Sequence, residues 1–213
     1  MTRLIKTTVL CAIMALVSQF AQAQSPLDGI FKASERAQKA EEARGKYKVE
    51  ANKSITMTKV FDGLNMDAKK GLEVASQYIE EAYQLCRFSI DVVNDEKNFV
   101  IAKGTFENFE TYSFIPHEYI FNAPITIRFD AKEGRLRMMA ILTTYEGTRM
   151  MHNDYSPFSE NISELPPVNE NSTEKKKMYT KVFVTLFNKV QELFDEAEAF
   201  IQSHNGIEVD EDW

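Results

Sequence analysis

The sequence predicts an α+β protein: a five-stranded antiparallel sheet with two helices on one face. Three observations carry that reading. Several short stretches alternate apolar and polar residues and are separated by polar or Gly-bearing turns. Two longer stretches instead repeat apolar residues at spacings of three and four, the period of a helix with one buried face. Hydrophobic residues make up 44% and charged residues 27% of the 213 residues, which fits one globular domain with additions and excludes a collagen-like or wholly disordered chain.

The chain begins with a segment that reads as a signal peptide, residues 1–23. Arg3 and Lys6 make a basic start, residues 7–17 form an apolar run too short to span a bilayer, and Ala21-Gln22-Ala23 is a small-x-small cleavage site. Cleavage there removes two basic residues and leaves 23 against 32 acidic ones, a charge of −9. A surface that acidic repels phosphate backbones, so no nucleic acid is expected as a partner. No second apolar run reaches the length of a transmembrane segment. Cys86 is then the one remaining cysteine, and the mature chain is expected to fold without an internal disulfide.

Residues 24–46 are charged and Ala-rich, with Ala33, Ala37, Ala40 and Arg44 at helical spacing, and read as a peripheral helix or arm. The main domain is expected over 47–145. Residues 47–61 form its first strand, with Asp62-Gly63 as a turn. A helix follows over 66–84, capped by Asn65 or Asp67, with Leu72, Ala75, Ile79, Ala82 and Cys86 on one face. Four strands complete the sheet: 87–93, 98–106, 119–129 and 135–145. Residues 94–97 and Lys132-Glu133-Gly134 are the turns, with Gly134 at the position that favours positive φ. Pro124 lacks an N–H, so its strand is expected to start nearby or to lie at a sheet edge. Residues 146–171, with Pro157, Pro166 and Pro167, read as a linker. A long helix is expected over 172–206, opened by a capping box of Asn171 and Glu174 and stopped by Asn205-Gly206. Its stripe is Met178, Val182, Leu186, Val190, Leu193 and Ala197. Residues 207–213 are an acidic tail without the spacing of a calcium loop.

The resulting order is β-α-β4-α, and over residues 47–145 it resembles the DUF4468 family, exported proteins of Bacteroides-type bacteria with a TBP-like fold. The resemblance rests on the strand at 55–61, Gly63-Leu64 before a helix bearing Tyr78-Ile79, and the polar hairpin before 98–104. It rests also on the pair from Ile125-Thr126-Ile127 to Gly134-Arg135-Leu136-Arg137. The chain departs from the family's pattern at residues 106–117 and in its long last helix. The resemblance implies a fold and an exported location. It supplies no catalytic residue, and a TBP-like topology does not bring DNA binding with it.

Catalytic signatures are sparse: the sequence has no HExxH, GxSxG, CxxC or P-loop. Cys86 and His117 could pair as thiol nucleophile and base, but Cys86 continues the apolar face of its helix and reads better as a small core residue. No cofactor and no metal site is expected. The binding surface favoured by the pattern is the outer sheet face, where Thr126, Arg128, Arg135, Arg137 and Tyr145 are expected together with Thr58, Asp91, Asn122 and Thr143. Guanidinium forks bind carboxylates and phosphates in pairs of hydrogen bonds. The competing reading is a solvated face with pairing to Asp91 and Glu133. Phe106, Phe109, Tyr112 and Phe114 form an aromatic segment that either closes the core or makes a patch.

The functional expectation is an exported, non-catalytic binding or interaction module of the bacterial cell envelope, periplasmic or at the cell surface. Its expected partner is an envelope protein or an anionic small ligand. The alternatives are a secreted thiol-dependent hydrolase using Cys86 and His117, and a subunit that docks through its long C-terminal helix.

Overall fold

Alternation of Ile55, Met57 and Phe61 with more polar neighbours makes one face of a strand apolar, and each later strand repeats the device. In the computed structural model the described residues are 26–205, apart from 83–85 and 153, with side chains from Ser34 onward. The expected signal peptide at 1–23, Gly206 and the expected acidic tail lie outside them. The described residues divide after Gln38 into two compact units, 26–38 and 39–205. Helix α1 (Pro26–Ala43) spans the boundary, and in the second unit its last turn buries Ala40 and Ala43.

The second unit contains β1 (Lys48–Val49), β2 (Ile55–Asp62), α2 (Ala68–Glu81), β3 (Ser89–Asn94), β4 (Phe99–Phe114) and β5 (His117–Lys132). It continues with β6 (Arg135–Leu142), β7 (Thr144–Met151), β8 (Asp154–Asn161), a 3-10 turn (Ile162–Glu164) and α3 (Lys176–Ser203). The strands form one antiparallel sheet in the order β1-β2-β6-β5-β4-β3, with β7 on β5 and β8 on β7. Helices α2 and α3 pack on its inner face around Val100, Ala102, Ile125, Ile127, Phe129, Leu136, Met138 and Ala140. The Tyr78 hydroxyl ties the two helices together by donating to the Leu193 carbonyl at 2.9 Å.

The α+β class and the antiparallel sheet stand, but the described residues hold eight strands and three helices rather than five and two. Two causes account for the extra strands. The expected first strand is broken at 50–54, where Asn52 Oδ1 accepts from the Ser54 N–H and turns the chain between β1 and β2. The expected linker at 146–171 is mostly β7 and β8. Its polar alternation, Gly147 and Pro157 resemble loop chemistry, but β7 pairs residue by residue with 117–122 of β5, a stretch β6 does not reach. Ile162 and Leu165 then return to the core.

Pro124 lies inside a long central strand, neither at its start nor at a sheet edge. Along that side of β5 the β7 ladder ends at Asn122 and the β6 ladder begins at Ile125, so Pro124 falls where one partner hands over to the next. Asp67 is the cap of α2, its Oδ1 accepting from the Lys70 N–H at 2.7 Å. The expected capping box of the last helix does not form. Lys175 precedes α3 in a left-handed conformation with no side-chain cap, and its carbonyl accepts from Met178 and Tyr179. Gly134 closes the β5–β6 turn at φ +66, as its position predicts.

Candidate functional site on the open sheet face

The register lays the outer-face side chains of β2, β6, β5 and β4 in rows. Asp62, Arg135 and Lys132 form the row beside the β5–β6 turn. Val60, Arg137, Asp130 and Phe99 form the next, followed by Thr58, Met139, Arg128 and Ile101, and then Thr56, Ile141, Thr126 and Lys103. Alternation puts these residues opposite the helix-covered face, so the same pattern that builds the core also gathers the arginines.

Asp130 organises the cluster. Arg128 donates through Nε and Nη2 to Asp130 Oδ1 at 2.9 and 2.6 Å, and Arg137 donates through the same two nitrogens to Oδ2 at 3.2 and 2.8 Å. The Asp130 side chain is only 16% exposed. Burial pushes its carboxyl upward, but the hydrogen bonds and charges of Arg128 and Arg137 outweigh that and hold it below the usual carboxylate range. The Arg128 guanidinium also lies 4.3 Å from the centre of the Phe99 ring. Arg135 pairs with Asp62. Val60, Asp130, Lys132, Arg135 and Arg137 line a recess of about 230 Å³.

Four of the five expected binding residues therefore share the face. Arg128, Arg135 and Arg137 stand together, and Thr126 lies one row beyond Arg128 on the same strand, half-buried. Tyr145 does not join them. Even-numbered residues point inward from Leu136 to Leu142, but the strand breaks at Thr143, and after it the odd-numbered Tyr145 points inward. A one-residue shift exchanges the two faces of a strand. Tyr145 is 1% exposed, packed among Phe109, Phe121 and Tyr179. The acidic partners also differ from expectation. Asp130 and Asp62 hold the arginines, while Asp91 pairs with Lys103 at 2.9 Å. Asp130 was legible as the i+2 neighbour of Arg128, on the same side of the same strand.

The remaining candidates separate. Cys86 is 1% exposed, and burial pushes its thiol up to about 12. A Cβ on Gly104 would meet the Cys86 carbonyl at 2.7 Å, so Cys86 lies beside that end of β4, whereas His117 pairs with Phe114 at the other end. Along β5 the partners of those two points, Ile125 and His117, are eight residues apart, roughly 26 Å, which keeps thiol and imidazole apart. They cannot act as nucleophile and base. The stripe of α3 from Met178 to Ala197 is buried in the chain's own core and does not present a docking face. The aromatic segment divides: Phe106 is core, Phe109 and Tyr112 pack against it, and Phe114 is 41% exposed. Among the described residues no three His, Cys, Asp or Glu side chains gather as metal ligands. No helix among them is long and apolar enough to cross a membrane.

No family model matches the sequence, and no curated protein does. Among solved structures, a TBP-like protein from Parabacteroides distasonis is similar over 72% of this chain and 96% of that one, with 11% identity and a TM-score of 0.53. A DUF4468 family protein from Bacteroides ovatus is similar over 73% of this chain and 91% of that one, with 11% identity and a TM-score of 0.49. The first likeness shows the TBP-like α+β fold and, at that identity, nothing of the chemistry. The second protein carries the name of the family that residues 47–145 resemble.

Proposed function

We propose that this TBP-like chain is an exported, non-catalytic binding module that takes an envelope protein or a small anionic ligand on its open sheet face. One observation carries the reading: two guanidinium groups share a single carboxylate, Asp130, at a recess that Lys132 also lines. That leaves local positive charge on a chain whose overall charge is strongly negative. The Asp130 bonds fix both arginines before any partner arrives, which reduces the ordering cost of binding. Anionic groups are the chemistry that fits such a surplus. Export rests on residues 1–23, and the acidic balance of the remainder disfavours nucleic acid.

The test compares wild type with an Arg128→Glu, Arg137→Glu double variant whose fold is checked by circular dichroism. Thermal shifts are measured with dicarboxylates and organic phosphates, and partners are captured from the envelope fraction of the native host. A ligand or partner held by wild type and lost by the folded variant supports the sheet-face site. Equal retention by both proteins refutes it.

A further inference from the structure

The end of the sheet farthest from the Arg128–Arg137 cluster carries a different surface. Four of the eight exposed large apolar side chains among the described residues gather there. Ile115, at the tip of the β4–β5 hairpin, is 101% exposed, and Phe114 beside it is 41% exposed. Met151 pairs with His117, so the end of β7 stands next to that tip, and Tyr155 follows in β8 at 67% exposed. Isolated apolar side chains on a surface are ordinary, but here Phe114 and Met151 share a row with His117 on one side of the sheet, Tyr155 lies with Met150 on the other, and Ile115 projects from the tip, so both sides of one narrow end are apolar.

Its surroundings are graded. The Lys175 ammonium sits 5.2 Å from the centre of the Tyr119 ring. Tyr119 is two residues from the end of β5, about 7 Å from it along the strand. Exposed Lys176 and Lys177 follow at the start of α3. Tyr112 pairs with Tyr119 at the same level. Ile115, Phe114, Met151 and Tyr155 therefore stand at the end beside exposed His152 and Asp154, with tyrosines and lysines below them. That order matches a surface that enters a bilayer interface by about 5–10 Å and keeps its aromatic and basic residues among the headgroups. Glu118, Glu174 and Arg149 stand at that level and Asp154 pairs with Met151 at the end itself, so the rim is mixed in sign and the projecting Ile115 and its apolar neighbours are the part that binds. Four side chains on narrow hairpin ends fall short of the roughly 800 Å² per partner of a standard protein interface.

We propose that the β4–β5 hairpin tip is a lipid-contacting site that holds the protein on a bilayer surface without spanning it. The sole tryptophan, Trp213, allows a direct test. In a Trp213→Phe background, tryptophan is introduced as Ile115→Trp or, at the opposite end of β5, as Lys132→Trp. The probe is vesicles of phosphatidylethanolamine and phosphatidylglycerol, with or without brominated acyl chains. The expected result is a blue shift and bromine quenching at position 115 and neither at position 132. In wild-type background, Ile115→Asp should weaken vesicle binding about tenfold or more, the factor lost with one buried aliphatic side chain. Because only residue 115 differs, any contribution of residues 1–23 is common to both proteins. Absence of quenching at 115, or equal quenching at 115 and 132, overturns the proposal. So does a mass that rises with concentration and is lost in Ile115→Asp without vesicle binding, which would make the tip a contact between copies.

Discussion

Gly147 offers the sharpest test of the β5–β7 pairing. Its φ is +159, and a Cβ placed there would lie 1.9 Å from the Ile120 carbonyl oxygen and 3.1 Å from the Phe158 ring. An ordinary carbon–oxygen contact is about 3.3 Å or more, so Gly147→Ala must push the strands apart by well over 1 Å. The strands are only about 4.8 Å apart and their N–H···O bonds fail beyond roughly 3.2 Å. Two or three ladder bonds at about 1 kcal/mol each would be lost. The edge-on contact of Phe158 with Phe121, ring centres 5.2 Å apart, would loosen with them. The expected destabilisation is about 3–5 kcal/mol, or a fall in Tm of roughly 6–20 °C. Gly45→Ala is the control. That residue also has positive φ, but open space surrounds it, so only the conformational cost of about 1–2 kcal/mol applies. Urea denaturation gives the energies, and amide exchange locates the damage, which should open β7 and β8 while β2 and β6 stay protected. A Gly147→Ala protein within 1 kcal/mol of the Gly45→Ala control, with β7 still protected, would refute the pairing described here.

Three other outcomes follow from single interactions. Tyr78→Phe removes the hydroxyl bonded to the Leu193 carbonyl and should cost about 1–2 kcal/mol in urea denaturation; an unchanged midpoint would mean that this bond does not join α2 to α3. Asp130 has a lowered carboxyl pKa in the folded protein, so its contribution to stability is complete above the unfolded value near 3.9 and is lost as pH falls through the folded value. Acid unfolding followed by circular dichroism should therefore be shallower below about pH 4 in Asp130→Asn, and an identical slope would contradict the ion pairs. The Cys86 thiol, held up at about 12 by burial, should resist iodoacetamide at pH 8 and react once urea unfolds the chain. Rapid labelling of the folded protein would show that the thiol is reachable.

What could be read from the residues depended on whether the signal was local. Alternation places Ile125, Phe129, Met138 and Leu142 in strands, Asp67 announces its helix, and Gly134 its turn, because each depends on near neighbours. The arginine face followed from the same alternation. Alternation puts Tyr145 on the wrong face because counting by twos carries no memory of a break, and nothing in Leu142-Thr143-Thr144 announces that the strand ends and restarts. Strands β7 and β8 carry the composition of a linker, because their stability comes from a distant partner, the half of β5 that β6 does not reach, rather than from their own residues. The uncapped start of α3 has the same origin: Met178 and Tyr179 are buried at once, and burial replaces the missing Asn171 cap.

The change of partner along β5 also bears on aggregation. A sheet that branches exposes more unpaired strand than a simple one, and unpaired strand is a template for joining molecules. Here three of those edges are blunted. Strand β8 carries Pro157, which cannot donate to a newcomer. Strand β3 is only six residues long and is interrupted by a bulge between Ile90 and Val92. Beyond the two residues of β1, strand β2 presents Lys59, ion-paired to Asp195 and Glu198 of α3. The branching that lengthens the sheet thus comes with three separate obstacles to fibre growth, and a variant such as Pro157→Val, harmless to the core, is the change that would remove one of them.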